Sequence, residues 1–76
     1  MKTEEIEEIK KVSEAVMKEN PSWRKGQTLW NVTESFVYKR GDAQMQNNFE
    51  ELRASSKDCF YQDERCELFL EALLNV

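Results

Sequence analysis

The strongest nucleophiles in the chain are two thiols, Cys59 and Cys66, seven residues apart. That spacing fits neither CxxC nor a recognised zinc pattern. There is no histidine, so the commonest general base, the Ser-His-Asp arrangement and the usual zinc ligand are all missing. A thiolate here would have only Lys57 or Arg65 nearby in sequence to lower its pKa. Both cysteines are therefore read as small buried hydrophobes. Glu4, Glu5, Glu7 and Glu8 wrap the first turns of a helix and form a solvated face rather than a cation site. Asp58, Asp63 and Glu64 lack the ligand order of an EF-hand, and two isolated glycines cannot cradle a phosphate. No catalytic centre, cofactor or metal site is expected.

Recognition chemistry concentrates instead in Ser22–Asn31, SWRKGQTLWN. On a helix, Trp23, Gly26, Leu29, Trp30, Thr33, Phe36 and Val37 share one broad face. Gly26 costs about 1 kcal/mol relative to alanine in a helix, and its missing side chain lets another segment approach between the tryptophans. Core packing is the expected role of Trp23, Gly26, Trp30, Phe36 and, from the last helix, Phe69, with an exposed aromatic pair for a partner as the alternative. Beside that face runs a polar strip of Arg24, Gln27, Asn31, Glu34 and Tyr38. Arg24 and Lys25 put positive charge in the first turn, where the helix dipole disfavours it. A carboxylate should compensate; Asp58 and Asp63 are the candidates, and a guanidinium suits a bidentate contact. A structural network is expected here in preference to a ligand site.

Four helices must position these residues. The first spans Thr3 to Lys18 or Glu19, with Thr3 as N-cap and an apolar stripe of Ile6, Ile9, Val12 and Val16. Pro21 ends it at Asn20. The second starts from an N-cap at Ser22 and runs to about Lys39, where Lys39, Arg40 and Gly41 make a C-terminus. Asp42 caps a third, to about Ala54, with Met45, Phe49 and Leu52 inward. Ser55–Gln62 is a loop. The last starts near Asp63 and faces Cys66, Phe69, Leu70 and Leu73 inward. No strand-like alternation is present. Arg40-Gly41-Asp42 therefore serves as a helix stop and the next cap, not an adhesion tripeptide, and Asn31-Val32-Thr33 is mid-helix, a poor glycosylation site.

The segments SWRKGQTLWNV and DCFYQDERCELFLEAL resemble those of a group of short, mostly uncharacterised bacterial and bacteriophage proteins. Members of that group carry W/F-R-x-G-Q-x-L-x-N early and P-F-Y-x-D-x-R-x-x-x-F-L late. Arg24, Gly26, Gln27, Leu29 and Asn31 match the first motif; Phe60, Tyr61, Asp63, Arg65, Phe69 and Leu70 match the second. Cys59 replaces the usual proline. The resemblance implies that the two segments pack as one unit, and a bacteriophage or mobile-element origin. It carries no activity that could be transferred.

At 76 residues the chain is one domain, residues 1–76. A chain this short buries only about 60% of its unfolded surface, so dimerisation is expected to supplement a small core. Apolar residues at 39% and aromatics at 11% support folding despite a high charge density. No run reaches the length of a membrane span and the N-terminus has no apolar signal region, so a cytosolic protein with reduced thiols is expected. The reading is an all-α, compact three- or four-helix bundle. It is expected to act as a non-catalytic protein–protein interaction or regulatory accessory module, with its contact surface around Arg24, Gln27, Asn31, Tyr38 and Tyr61. The alternative is a nucleic-acid-associated regulator using Lys25, Lys39, Arg40 and Arg53. A net charge of −4 and the placement of Arg24, Lys25, Lys39 and Arg40 at opposite ends of one helix, roughly 20 Å apart, argue against nucleic acid.

Overall fold

A computed structural model describes all 76 residues. It is all-α: α1 (Thr3–Glu19), α2 (Lys25–Arg40), α3 (Ala43–Ala54), a 3-10 turn (Asp63–Arg65) and α4 (Cys66–Leu73). The radius of gyration, 11.5 Å, matches the roughly 11 Å of a compact single domain of this length. No helix is long and apolar enough to cross a membrane.

α2 is the central element. On one side α1 packs along it, placing Ile6 and Ile9 in the same core as Leu29 and Phe36. On the other, Trp30 stacks on Phe49 of α3 at 4.7 Å between ring centroids and meets Phe69 of α4 at 5.6 Å. Phe49, Phe69, Val37 and Leu73 are wholly buried, so one aromatic cluster ties three helices. Two threonines inside α2, Thr28 and Thr33, are also wholly buried. Their hydroxyls donate to carbonyls one turn back, Arg24 O at 2.9 Å and Leu29 O at 2.7 Å, which meets the requirement that buried polar groups be paired.

Helix boundaries follow the expected signals in part. Asp42 caps α3, its carboxylate accepting the Met45 N–H at 2.8 Å. The cap of α1 lies one residue earlier than expected: Lys2, not Thr3, is the N-cap, and its N–H donates to the Glu5 carboxylate at 2.8 Å. Gly41 ends α2 with φ −84°, so it does not use the left-handed region. Its role is space, since a Cβ there would lie 2.6 Å from the Val37 carbonyl oxygen, and equally close to Met45 Sδ. Along α1, Val12 is exposed and Ser13 is buried instead. Packing follows the row Ile6, Ile9, Ser13, and Val12 stands roughly 90° around the helix from the centre of that row at 100° per residue. The stripe expected from apolar residues alone is thus rotated by a buried serine.

The start of α2 differs more. Residues 20–23 form a turn, closed by the Trp23 N–H donating to Asn20 O at 3.0 Å. Arg24, with extended backbone (φ −76°, ψ 153°), is the N-cap and Ser22 is not. Trp23 therefore falls outside the helical register and is 42% exposed. It is not a core anchor, whereas Gly26, Trp30, Phe36 and Phe69 are buried as expected.

Gly26 is buried because another backbone crosses it. A Cβ at this position would sit 2.1 Å from the Cys59 carbonyl oxygen and 2.9 Å from the Asp63 carboxylate. No rotamer change relieves a clash with a main-chain carbonyl. Gly26→Ala gains about 1 kcal/mol of helix propensity and loses more to this overlap. The expected net result is destabilisation of about 2 kcal/mol or more in urea unfolding followed by circular dichroism; an alanine variant as stable as the parent would contradict the close approach.

Candidate functional site

The two motif segments meet at the N-terminus of α2. The first N–H groups of any helix lack intrahelical partners. Here the Gly26 N–H donates to Asp63 Oδ1 at 2.9 Å, so the cap comes from the 3-10 turn, 37 residues away in sequence. The same oxygen faces Arg24 Nη1 at 3.5 Å, and Arg24 Nη2 donates to Phe60 O at 2.7 Å. Asp63 thus offsets the positive charge that Arg24 and Lys25 place at the positive end of the helix dipole. Asp58, the other candidate, instead accepts the Phe60 N–H at 3.2 Å within its own loop.

The loop before the 3-10 turn is held from both flanks. Arg24 binds its Phe60 carbonyl, and Arg65 Nη1 donates to Ser56 O at 2.6 Å. Ser56 has φ 59°, the loop's one left-handed residue. Beneath, the Cys59 thiol donates to Gly26 O at 3.3 Å. Burial pushes the Cys59 thiol up to about 12, helped by its neighbour Cys66, and Cys66 is also raised by burial. Thiolate is scarce at neutral pH on both residues.

Farther along the polar strip, the side chains bind other helices. Tyr38 O–H donates to Glu50 of α3, and its ring meets Phe49 edge-on at 6.2 Å. Glu34 pairs with Arg53, whose guanidinium lies 5.1 Å over the Trp30 ring and 3.8 Å from Glu50. Arg40 pairs with Glu8 of α1 and covers Phe36 at 4.6 Å. Of the four bases in the nucleic-acid alternative, Arg40 and Arg53 are thus engaged with carboxylates, while Lys25 and Lys39 lie exposed at opposite ends of α2.

What the fold does not use is more informative. Gln27 and Asn31, half-buried and one turn apart, take no part in the side-chain hydrogen bonds. Tyr61 is 79% exposed, touching Phe60 edge-on at 4.7 Å. Trp23 lines an open groove between α1 and α2 with Val12, Val16, Asn31, Val32 and Phe36. The Glu8–Arg40 pair and Lys39 form the far end. From Trp23 to Lys39 the groove spans roughly 20 Å, about four helical turns. Sequence reasoning missed this groove because it placed Val12 and Trp23 in the core. The one signal available was Pro21, which resets the chain before Arg24.

Asp63→Ala leaves the Gly26 N–H without its acceptor and is expected to lower stability by about 1–2 kcal/mol, within the range of lost helix caps. Asp63→Asn, which keeps an acceptor oxygen, recovers part of that in the same urea titration; equal stability of all three chains would refute the cap. The Tyr38 phenol is raised above 10.0, first by its hydrogen bond to Glu50 and then by desolvation. A raised folded-state pKa favours the protonated phenol. The Tyr38–Glu50 bond therefore contributes fully below the unfolded value near 10, and its contribution is lost as pH rises through the raised folded value. In ultraviolet titration, Tyr38→Phe should remove a tyrosinate component that titrates above 10, and a parent chain lacking that component would contradict the pairing.

No protein family matches the chain, and no curated protein or solved structure is significantly similar to it.

Proposed function

We propose that this chain is a small non-catalytic protein–protein interaction module, an accessory or regulatory component working in the cytosol, and that its contact site is the α1/α2 groove ending at Trp23. The observation that carries the reading is the 42% exposure of Trp23 at the mouth of an apolar groove whose other lining includes the exposed Val12 and the half-buried Val16 and Val32. Tryptophan is the residue most enriched among those that dominate binding energy, and it does so when a partner completes its burial. The open groove runs beside Ile9, Val12, Val16, Val32 and Phe36, with an ion pair at one end and Asn31 among its lining. Those features suit an amphipathic helix that lays an i, i+3/i+4, i+7 row into the groove.

The polar strip divides under this reading. Arg24 and Asp63 hold the fold, and Tyr38 is engaged with α3, so the contact residues are Trp23, Gln27 and Asn31, with Tyr61 as an exposed aromatic on the adjoining loop. A second copy of the chain is the other occupant considered, and solution mass distinguishes it.

The test is partner isolation followed by mapping. Heteronuclear spectra of the labelled chain titrated with the isolated partner should show the largest shifts at the Trp23 indole, Val12, Val16 and Val32. Trp23→Ala should weaken binding about 30-fold, corresponding to a contact residue worth about 2 kcal/mol, with the spectrum of the free chain otherwise retained. Shifts confined to Lys25, Lys39 and their neighbours, with affinity falling steeply in salt, would overturn the reading in favour of nucleic acid.

A further inference from the structure

The two walls of the α1/α2 groove differ in what they leave free. From α1 come Glu8, Ile9, Val12 and Val16, and the one polar group among them, the Glu8 carboxylate, is paired with Arg40. From α2 come two rows at i, i+4 and i+8. Val32, Phe36 and Arg40 form one, with Arg40 engaged by Glu8 and lying over the Phe36 ring. Asn31, Ser35 and Lys39 form the other. Between Asn31 and Arg40, the polar side chains with partners are Thr33, Glu34, Tyr38 and Arg40. Asn31, Ser35 and Lys39 have none.

What this free row chiefly offers is donors. It presents an amide, a hydroxyl and an ammonium, and the Trp23 indole N–H stands at the near end of the groove. Only Asn31 and Ser35 can also accept. A partner that covers the groove takes these groups out of water, and each donor then needs an acceptor. Charge points the same way. The lining holds two cations, Lys39 and Arg40, and one carboxylate, Glu8, which is paired with Arg40. Lys39 is left unbalanced. The chain as a whole carries −4, but charges beyond a Debye length of ~8 Å are largely screened, so the lining governs the contact.

We propose that the helix bound in this groove is acidic along the flank that faces α2, with an Asp or Glu carboxylate opposite Lys39 and polar acceptors opposite Ser35 and Asn31. This selectivity rests on the contact site given above and names the chemistry of its partner. Side chains three or four residues apart share one flank of a helix, so a single flank can meet Asn31, Ser35 and Lys39 in turn while the neighbouring apolar row takes Val12, Val16 and Phe36. A basic helix would set like charges together at Lys39, and the site rejects it on that ground.

The test is selection from a displayed library of helical peptides long enough for the ~20 Å groove, with an apolar i, i+3/i+4, i+7 row fixed and the other positions random. Peptides selected on the parent chain should be enriched in Asp and Glu on one flank, beside one end of the apolar row. Selection on Lys39→Glu, a change at an exposed position, should replace them there with Lys and Arg. The best acidic peptide should bind Lys39→Glu about tenfold more weakly than the parent, and its Glu→Lys counterpart should recover the loss on Lys39→Glu. Peptides that need Trp23 but show no acidic preference, or the same preference on Lys39→Glu, overturn the acidic partner and leave the contact site standing. A library yielding no peptide whose binding is lost with Trp23→Ala overturns the contact site and the acidic partner together.

Discussion

The Gly26 N–H and the Asp63 carboxylate meet at 2.9 Å, and behind them the Cys59 carbonyl lies so close that any side chain at position 26 would collide with it. This junction sets where α2 begins. A helix cannot start comfortably with two bases in its first turn and no acceptor for its free N–H groups. The carboxylate supplies both acceptor and counter-charge, and it arrives from the far end of the chain. The start of α2 then decides the rest. Beginning at Lys25, the helix turns Trp30 towards Phe49 and Phe69, turns Leu29 and Phe36 towards α1, and leaves Trp23 outside.

The exposed ion pair between Arg24 and Asp63 is a small part of this. Each side chain is more than 40% exposed, and such pairs contribute at most about 1 kcal/mol. More stabilisation comes from the charge-assisted bond from Gly26, the Arg24 bond to the Phe60 carbonyl and the burial of Cys59 and Cys66 beneath the crossing. A domain of this size has a modest core, and the junction adds to it a link from the N-terminus of α2 to the loop and the turn before α4. On the other side of the same helix, in the groove with α1, Trp23 and Val12 stay partly exposed.

Much of this is legible in the residues. The apolar periods of α3 and α4, the Asp42 cap and the stop at Asn20 follow from local rules, and the bases at the start of α2 call for a carboxylate, for which the residues offer both Asp58 and Asp63; only the tertiary fold selects Asp63. Gly26 on an apolar face announces a close approach. The N-cap of α2 is not legible, because Ser22 is a good local cap and only a tertiary contact makes Arg24 the actual one. Trp23 is misplaced for the same reason: extending a helical wheel upstream of the helix's true start assigns the wrong face. Val12 is misplaced because a valine outranks a serine in any count of apolar residues, yet Ser13 lies on the line that faces α2. Pairings such as Tyr38–Glu50 and Arg40–Glu8 depend on how helices sit side by side, which no single-helix pattern contains.

Amide hydrogen exchange at Gly26 tests the central claim most directly. A second-position helical N–H has no partner inside its own helix and ordinarily exchanges freely. Capped by Asp63, the Gly26 amide is predicted to be protected to the level of the interior amides of α2 and to exchange only when the loop or the whole domain opens. A Gly26 amide that exchanges as fast as an uncapped first-turn N–H, while the interior of α2 stays protected, would show that the junction does not hold α2 in place.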